Sequence, residues 1–431
     1  MIQSRLFFWM GCFIALLVML SEGMFATPVR GEELLQRDGR FIHLTTDLQT
    51  AEEAERLVAS FDAAVLQWME YWKLPESALA NWTVDACVIR DKAEFTRRGL
   101  IPDHIPDFPF GYAWNDNVWV LAQQSEYYTR HLLMHEGVHS LAYHVYSGAG
   151  PTWFQEGTAE LLATHQGHGP TTKINRIPAN REDVPYWGRF KLIKQLRDDR
   201  QVPTLETVMQ YQPDLTGNVA TYGWSWAACM ILDAYPEYRP ALLAAAAKGN
   251  ETGPAFNRDL ARELGNEWPI LAARWRLMCH DLDYGFDWAR ERVAISARDR
   301  IWDGRDHTFQ VQADQGWQSC GFRIPKGAKV RVVAKGRITL ADEPKPWVSE
   351  ANGITFQYHQ GRPLGQLLAC VLPNASNPQA TLVSAPDVHF ADPDRSLSVP
   401  QYSWLLFRVN DAVGDLANNR GHFEVTLQRA R

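Results

Sequence analysis

The sequence predicts an α+β fold in two parts: a mixed sheet with helices over residues 33–300, then an all-β sandwich over residues 306–431. Three observations carry that reading. Up to residue 123, short β-like runs alternate with a long stretch whose apolar residues recur three and four apart. After Phe309 only short β-like runs remain, separated by Gly, Pro, Asn and Asp turns. The character changes within residues 298–307, and no repeat period crosses the change. At 431 residues the chain has ample length for a core in each part.

The elements follow in order. Residues 41–46 read as a strand, and residues 51–72 as a helix with Ala54, Leu57, Phe61, Val65 and Trp68 on one face. Residues 83–89 alternate toward a second strand. Residues 107–112, rich in Pro and Phe, read as a loop, and residues 117–123 as a third strand. Residues 127–146 are helical, and a further helix is expected from about Glu156, after Pro151. Residues 185–280 stay mostly helical, with turns near Pro203, Pro213 and Pro236. The sandwich strands are FQVQA, VRVVAKG, QLLACVL, SWLLFRV and HFEVTL.

The N-terminus has the form of a secretory signal. Arg5 precedes an apolar run, residues 6–20, that is short for a bilayer span. Ser21 and Gly23 give one cleavage pattern and Ala26 another, so residues 1–26 are expected to be removed. An uncleaved anchor is the alternative. The mature chain is expected to be secreted, periplasmic or at the cell surface, without a membrane span. Five cysteines would then remain: Cys87, Cys229, Cys279, Cys320 and Cys370. An odd count leaves at least one thiol free, and no C-x-x-C occurs. Cys320 and Cys370 either pair or stay buried as thiols.

Composition is that of a globular chain, 46% hydrophobic and 22% charged, and seventeen Trp argue against disorder. A net charge of -7 without a basic stripe argues against a nucleic-acid partner.

The sharpest motif is His135-Glu136-Gly137-Val138-His139. On a helix the two histidines lie one turn apart on one face, so both rings can ligate one Zn²⁺ with Glu136 beside them as general base. Gly137 costs about 1 kcal/mol in a helix relative to Ala, and the sequence shows no packing reason for it. A catalytic zinc needs a third protein ligand and an open position. Glu156, seventeen residues past His139, can supply the ligand from a following helix. Glu160, one turn further, is expected to accept the other ring N–H of a ligating histidine. The reverse assignment, with Glu160 on the metal, stays open. His131, His144, His165 and His168 read as surface or supporting residues.

The pair H-E-x-x-H and Trp153-Phe154-Gln155-Glu156-Gly157-Thr158-Ala159-Glu160 resembles the gluzincin metallopeptidases, which include thermolysin and the aminopeptidase N family. The layout over residues 41–233 is most similar to the bacterial peptidase MA-like members. The resemblance implies a zincin-like domain with Glu156 as third zinc ligand. It also implies hydrolysis of a peptide or protein substrate through a zinc-activated water, with Glu136 as base. A tyrosine near a helix start often hydrogen-bonds the oxyanion in that group. Tyr222, in Thr221-Tyr222-Gly223-Trp224-Ser225, would take that role, with Ser225 where the family has Gly; a core tyrosine is the other reading. The metzincin pattern fails at Ala142 and Val145. The G-x-M-E-N segment of aminopeptidase N is missing, which favours an endopeptidase. The strand at residues 118–122 is expected to pair with extended substrate.

In the last third, Asp411, Asp415, Asn418 and Asn419 place four oxygen-bearing side chains within nine residues, a set suited to Ca²⁺. The loop resembles that of the PA-I type calcium-dependent galactose-binding lectins, with Asp415 replacing a Thr. The resemblance implies a galactose-binding-like sandwich and a carbohydrate or cell-surface partner. The family's sugar-contacting histidine has no counterpart in residues 348–352. Calcium with sugar, calcium alone and an ordinary solvated turn are the three readings. For the whole chain, the rival to a peptidase is a catalytically inactive zincin scaffold that binds carbohydrate or a surface.

Overall fold

The computed structural model describes residues 33–213, 218–343, 345–373, 387–390 and 396–430. The expected signal, residues 1–26, lies outside the described residues. The chain from Leu34 to Arg431 is one compact unit. It mixes helices with several sheets.

The first sheet is built from β1 (Leu35–Asp38), β2 (Ile42–Thr46), β3 (Val84–Ile89), β4 (Gly111–Trp114) and β5 (Asn117–Leu121), in the order β1-β2-β3-β5-β4. Strands β2, β3 and β5 run parallel, and β1 and β4 are antiparallel to their neighbours. Helix α1 (Ala51–Trp72) makes the crossover from β2 to β3. It starts at Thr50, whose side chain accepts from the Glu53 amide, and ends at Lys73 in the left-handed region. One sheet face, with Ile42, Leu44, Val84, Ala86, Val88, Val118 and Val120, joins α1 in the main core. The other face meets a smaller cluster of Phe95, Ile101, Ile105, Phe108 and Trp119. That cluster is fed by the short helix α2 (Lys92–Arg97) and the segment after it. Both faces are covered, as the buried strand pattern requires.

The structure corrects one expectation. The strand at residues 117–121 is not the open edge, because β3 flanks it on one side and β4 on the other. The stretch read as loop ends in β4, which turns back through Asn115 and Asp116. Asn115 sits at φ 52, and Trp114 pairs with Asn117. A two-residue hairpin of this kind needs positive φ, which Asn tolerates. The edge strand on this side of the sheet is therefore β4.

Helix α3 (Glu126–Tyr146) lies against β3, β4 and β5. Ser125 caps it by accepting from the Tyr128 amide at 3.2 Å, and Ser147 ends it at φ 56. Helix α4 (Thr152–Ala163) starts after Pro151. A small hairpin, β6 (His165–Gln166) with β7 (Lys173–Ile174), leads to α5 (Arg189–Asp198), α6 (Leu205–Val208) and α7 (Val219–Ala234). A Cβ at Gly157 would come within 2.4 Å of the Ser225 carbonyl, so this glycine lets α4 and α7 touch. Helices α8 (Arg239–Ala246), α9 (Pro254–Leu264), α10 (Trp268–Asp281) and α11 (Trp288–Glu291) complete the helical part.

From residue 300 the described residues form two sheets. In one, β8 (Arg300–Ile301), β10 (Gln318–Ile324), β14 (Asn352–His359), β15 (Arg362–Pro373), β16 (Asp387–Phe390) and β18 (Ser403–Val409) associate. The other holds β9 (His307–Gln312), β11 (Lys329–Lys335), β12 (Ile338–Thr339), β13 (Val348–Ser349), β17 (Ser396–Ser398) and β19 (Arg420–Arg429). Side chains of both sheets share one core, with Leu367, Ala369 and Phe407 from the first and Val311, Val330 and Val425 from the second. The alternate residues Leu368, Cys370 and Leu372 point the other way, onto Ile270, Ala273 and Leu277 of α10. Strand β15 is buried on both faces for that reason. The same alternation separates the thiols: Cys320 lies in the shared core and Cys370 on the opposite face. None of the five described cysteines is joined in a disulfide. No described helix is long and apolar enough to cross a membrane.

Candidate metal centre and cleft

His135 and His139 stand one turn apart on α3, and α4 brings Glu156 to them. The Nε2 atoms of the histidines are 3.2 Å apart. Glu156 Oε2 lies 3.1 Å from His135 Nε2 and 3.6 Å from His139 Nε2. Ligands about 2.1 Å from a tetrahedral zinc lie about 3.4 Å from one another. The three atoms therefore have the spacing of one face of such a tetrahedron. All three residues are buried, and neither His135 Nδ1 nor His139 Nδ1 has a hydrogen-bond partner.

The electrostatics suit a cation. Burial opposes charge on His135, yet the hydrogen bond to Glu156 and the nearby Glu160 carboxylate raise its pKa to about 10. Burial likewise opposes ionisation of Glu156, but the His139 and His135 rings hold its carboxyl down at about 2. In the metal-free chain the pocket thus favours one positive charge beside Glu156, and a metal ion satisfies the same preference.

Glu136 is buried, and desolvation raises its pKa against the pull of His135 and His139. A Cβ at Gly111 would sit 2.6 Å from Glu136 Oε1, so the edge strand leaves room for this carboxylate only by carrying glycine there. Gly137 has a packing reason that the sequence did not show. A Cβ there would meet the Phe61 ring at 2.4 Å and Trp68 at 3.1 Å. It is the point where α1 presses on α3.

Glu160 Oε1 lies 3.4 Å from His135 Nδ1, on the side away from Glu156. It also lies 3.4 Å from His131 Nε2, so His131 is a wholly buried neighbour of the site and not a surface residue. His131, His135 and Glu160 form a second cluster with metal-capable atoms. There, however, the Arg189 guanidinium already holds both Glu160 oxygens, at 2.7 and 3.1 Å. A fixed cation on the carboxylate opposes a metal ion at that end. Of the two clusters, the one with Glu156 suits zinc.

His135, Glu136, His139, Glu156, Glu160 and Arg189 line a cavity of about 630 Å³. Tyr222 on α7 also lines it, its ring centred 5.9 Å from that of His135. The rim is aromatic and apolar: Phe110, Trp114, Tyr143 and Val219 are 40%, 50%, 46% and 42% exposed. Arg189, Gly111 and this rim escaped the sequence reading. The usable signal was Asn115-Asp116 between two β-like runs, which marks the hairpin. Arg189, twenty-nine residues past Glu160, follows no motif spacing.

The C-terminal loop divides its four expected ligands. Asp411 and Asn419 are buried and bonded, with Asn419 Nδ2 donating to Asp411 Oδ2 at 3.0 Å and to the Ala313 carbonyl at 3.2 Å. Asn419 Oδ1 is buried without a partner. Asp415 and Asn418 are exposed, on and beside a single 3₁₀ turn. Burial raises the Asp411 carboxyl above the ordinary range, against the Asn419 hydrogen bond. Among the described residues, no cluster of three or more His, Cys, Asp or Glu includes Asp411 or Asp415.

No protein-family model matches the chain, and no curated protein does. A solved structure described as "EclA N-terminal domain; PllA-like lectin" is similar to part of it, at 18% identity and a TM-score of 0.21. The match covers 28% of this chain and 95% of that one. At that identity and score the likeness assigns no function.

Proposed function

We propose that this chain is an exported zincin-like, zinc-dependent peptidase, with His135, His139 and Glu156 as metal ligands and Glu136 as general base. The observation that carries the reading is the convergence of three ligand atoms at tetrahedral spacing on the wall of a cleft, with Glu136 beside them. Zinc bound there supplies Lewis acidity toward a carbonyl oxygen. Glu136, its pKa raised by burial, takes the proton of the attacking water and delivers it to the leaving amine. Tyr222 donates its hydroxyl to the developing oxyanion. The outermost strand β4, and not its neighbour β5, aligns an extended peptide by main-chain pairing. The aromatic rim favours peptides with large apolar side chains near the cleaved bond. Metal analysis with an unbiased peptide-library digest, run with and without a zinc chelator, tests the reading. About one zinc per chain and chelator-sensitive cleavage support it. A chain that takes up no zinc and cleaves nothing is instead the inactive scaffold.

For the C-terminal region we propose a calcium-binding accessory module. The buried Asn419 Oδ1 without a partner, beside the Asp411 carboxylate, supports it. Carbohydrate at a cell surface is its proposed partner.

A further inference from the structure

We infer that Arg189 is a positioning residue for the metal site, acting through Glu160 on the His135 ring; the inference rests on the zinc reading above. Arg189 opens α5, straight after Gly188 at φ 67. Only 4% of it is exposed, and arginine is rarely buried so deeply without a dedicated partner. That partner is Glu160. Arg189 Nη2 donates to Oε1 at 2.7 Å and Nε to Oε2 at 3.1 Å, a forked pair that fixes the carboxylate plane. Nη1 donates to the Trp187 carbonyl at 3.1 Å, and the Trp187 ring N–H donates to Glu160 Oε2 at 3.3 Å. The guanidinium also lies 5.6 Å from the centre of the Tyr222 ring. One buried cation thus braces both Glu160 and the wall that carries Tyr222.

The consequence reaches the metal through one ring. Held in this plane, Glu160 keeps Oε1 3.4 Å from His135 Nδ1, an ion-pair contact that a small rotation of the ring would close to a hydrogen bond. An imidazole that donates its Nδ1 proton to a carboxylate keeps Nε2 as the lone-pair atom and holds the ring in one orientation. Nε2 is the atom that faces Glu156 and His139. Charge points the same way. Glu136, Glu156 and Glu160 are three buried carboxylates, and a divalent ion would balance them together with the Arg189 guanidinium.

Two effects of opposite sign separate this role from simpler ones. A guanidinium near a metal ion repels it, so Coulomb's law alone predicts tighter zinc when Arg189 loses its charge. A purely structural arginine predicts unchanged zinc once the chain has folded. A positioning arginine predicts weaker zinc.

The experiment is a competitive zinc titration of the full chain against a chromophoric chelator, with metal-free melting temperatures measured in parallel. Arg189→Met is expected to weaken zinc about 10-fold or more. Arg189→Lys should recover part of the loss, because one ammonium cannot hold both oxygens in a plane. Adding Arg189→Met to Glu160→Gln should cost little beyond Glu160→Gln alone, since the arginine acts through that carboxylate. Unchanged or tighter zinc in Arg189→Met overturns the inference, and so does full additivity in the double variant. If Arg189→Met does not fold, Arg189→Lys decides: weaker zinc at an unaltered metal-free melting temperature supports the role, and wild-type affinity overturns it. A wild-type chain that binds no zinc removes the zinc reading and this inference together. Equal zinc in wild type and Arg189→Met removes this inference alone.

Discussion

The His–Glu cluster on α3 and α4 and the Asn–Asp loop after β18 each offer metal-capable side chains close together in sequence, yet the fold treats them differently. The first sits on helices. Its ligand atoms meet at 3.1–3.6 Å, and further buried groups hold them from behind. The second sits on a loop, where two side chains are buried and bonded to each other while two stand in solvent. A helix converts a four-residue spacing into a fixed distance, so its ligands are already organised before an ion arrives. A loop fixes no such distance, and its ligands need the ion to gather them. The helical site should therefore lose much when one ligand goes, and the loop should gain modestly when its ion is added.

The largest effect expected is at Glu156. Glu156→Ala should weaken zinc by more than Glu160→Ala does, because it removes a direct ligand. Loss of a supporting group such as Glu160 costs about 10- to 100-fold. Zinc titration of the two variants measures the order, and tighter zinc in Glu156→Ala would exchange their roles. Next is Glu136→Gln, which should keep zinc and fold yet lower peptide hydrolysis about 10²-fold or more, since an amide cannot serve as base. Wild-type cleavage by this variant would remove Glu136 from the chemistry.

A smaller effect concerns the frame of the helical site. Gly137→Ala improves helix propensity by about 1 kcal/mol. The added methyl would, however, meet the Phe61 ring at 2.4 Å in a filled core. Overpacking costs about 1–3 kcal/mol, so a lower melting temperature is expected, with zinc affinity reduced if α1 pushes α3 aside. A more stable Gly137→Ala would mean that the Phe61 ring yields easily.

The same contrast explains what could be read in the sequence. His135, His139, Glu156 and Glu160 were legible because helical periodicity turns their numbering into geometry. Strand β4 was not, since Pro106, Pro109 and the phenylalanines around it look like loop, and only a two-residue turn marks it. Arg189 was not, because its meeting with Glu160 depends on how α5 and α4 both pack on α7 and not on any local pattern. Gly137 looked costly in one dimension and is required in three. At the C-terminal loop, spacing alone did not reveal that Asp411 and Asn419 would pair while Asp415 and Asn418 faced water.

The smallest effect tests the loop. Calcium that binds only the folded chain stabilises it by RT ln(1 + [L]/Kd), about 1.4 kcal/mol at a tenfold excess over Kd. Zinc must be held saturating and constant during the test, so that the shift belongs to calcium alone. The full chain is the right sample, because β15 and β18 pack against α10 and Arg408 on β18 pairs with Asp281 on α10 at 2.8 Å. Without an ion, Asn419 Oδ1 is buried with no partner, and burial opposes charge on Asp411. Calcium would satisfy both, with Asp415 and Asn418 swinging in from solvent to complete the set. The melting temperature should rise by a few degrees in millimolar calcium, roughly as 1 kcal/mol does in a domain of moderate size. Asp411→Ala should abolish that shift, and Asp415→Ala should reduce it. Added galactose should contribute little, since no histidine stands within residues 348–352. A melting temperature indifferent to calcium would make Asp411 and Asn419 a structural pair, and the contrast between the two clusters would then be one between a metal site and a turn.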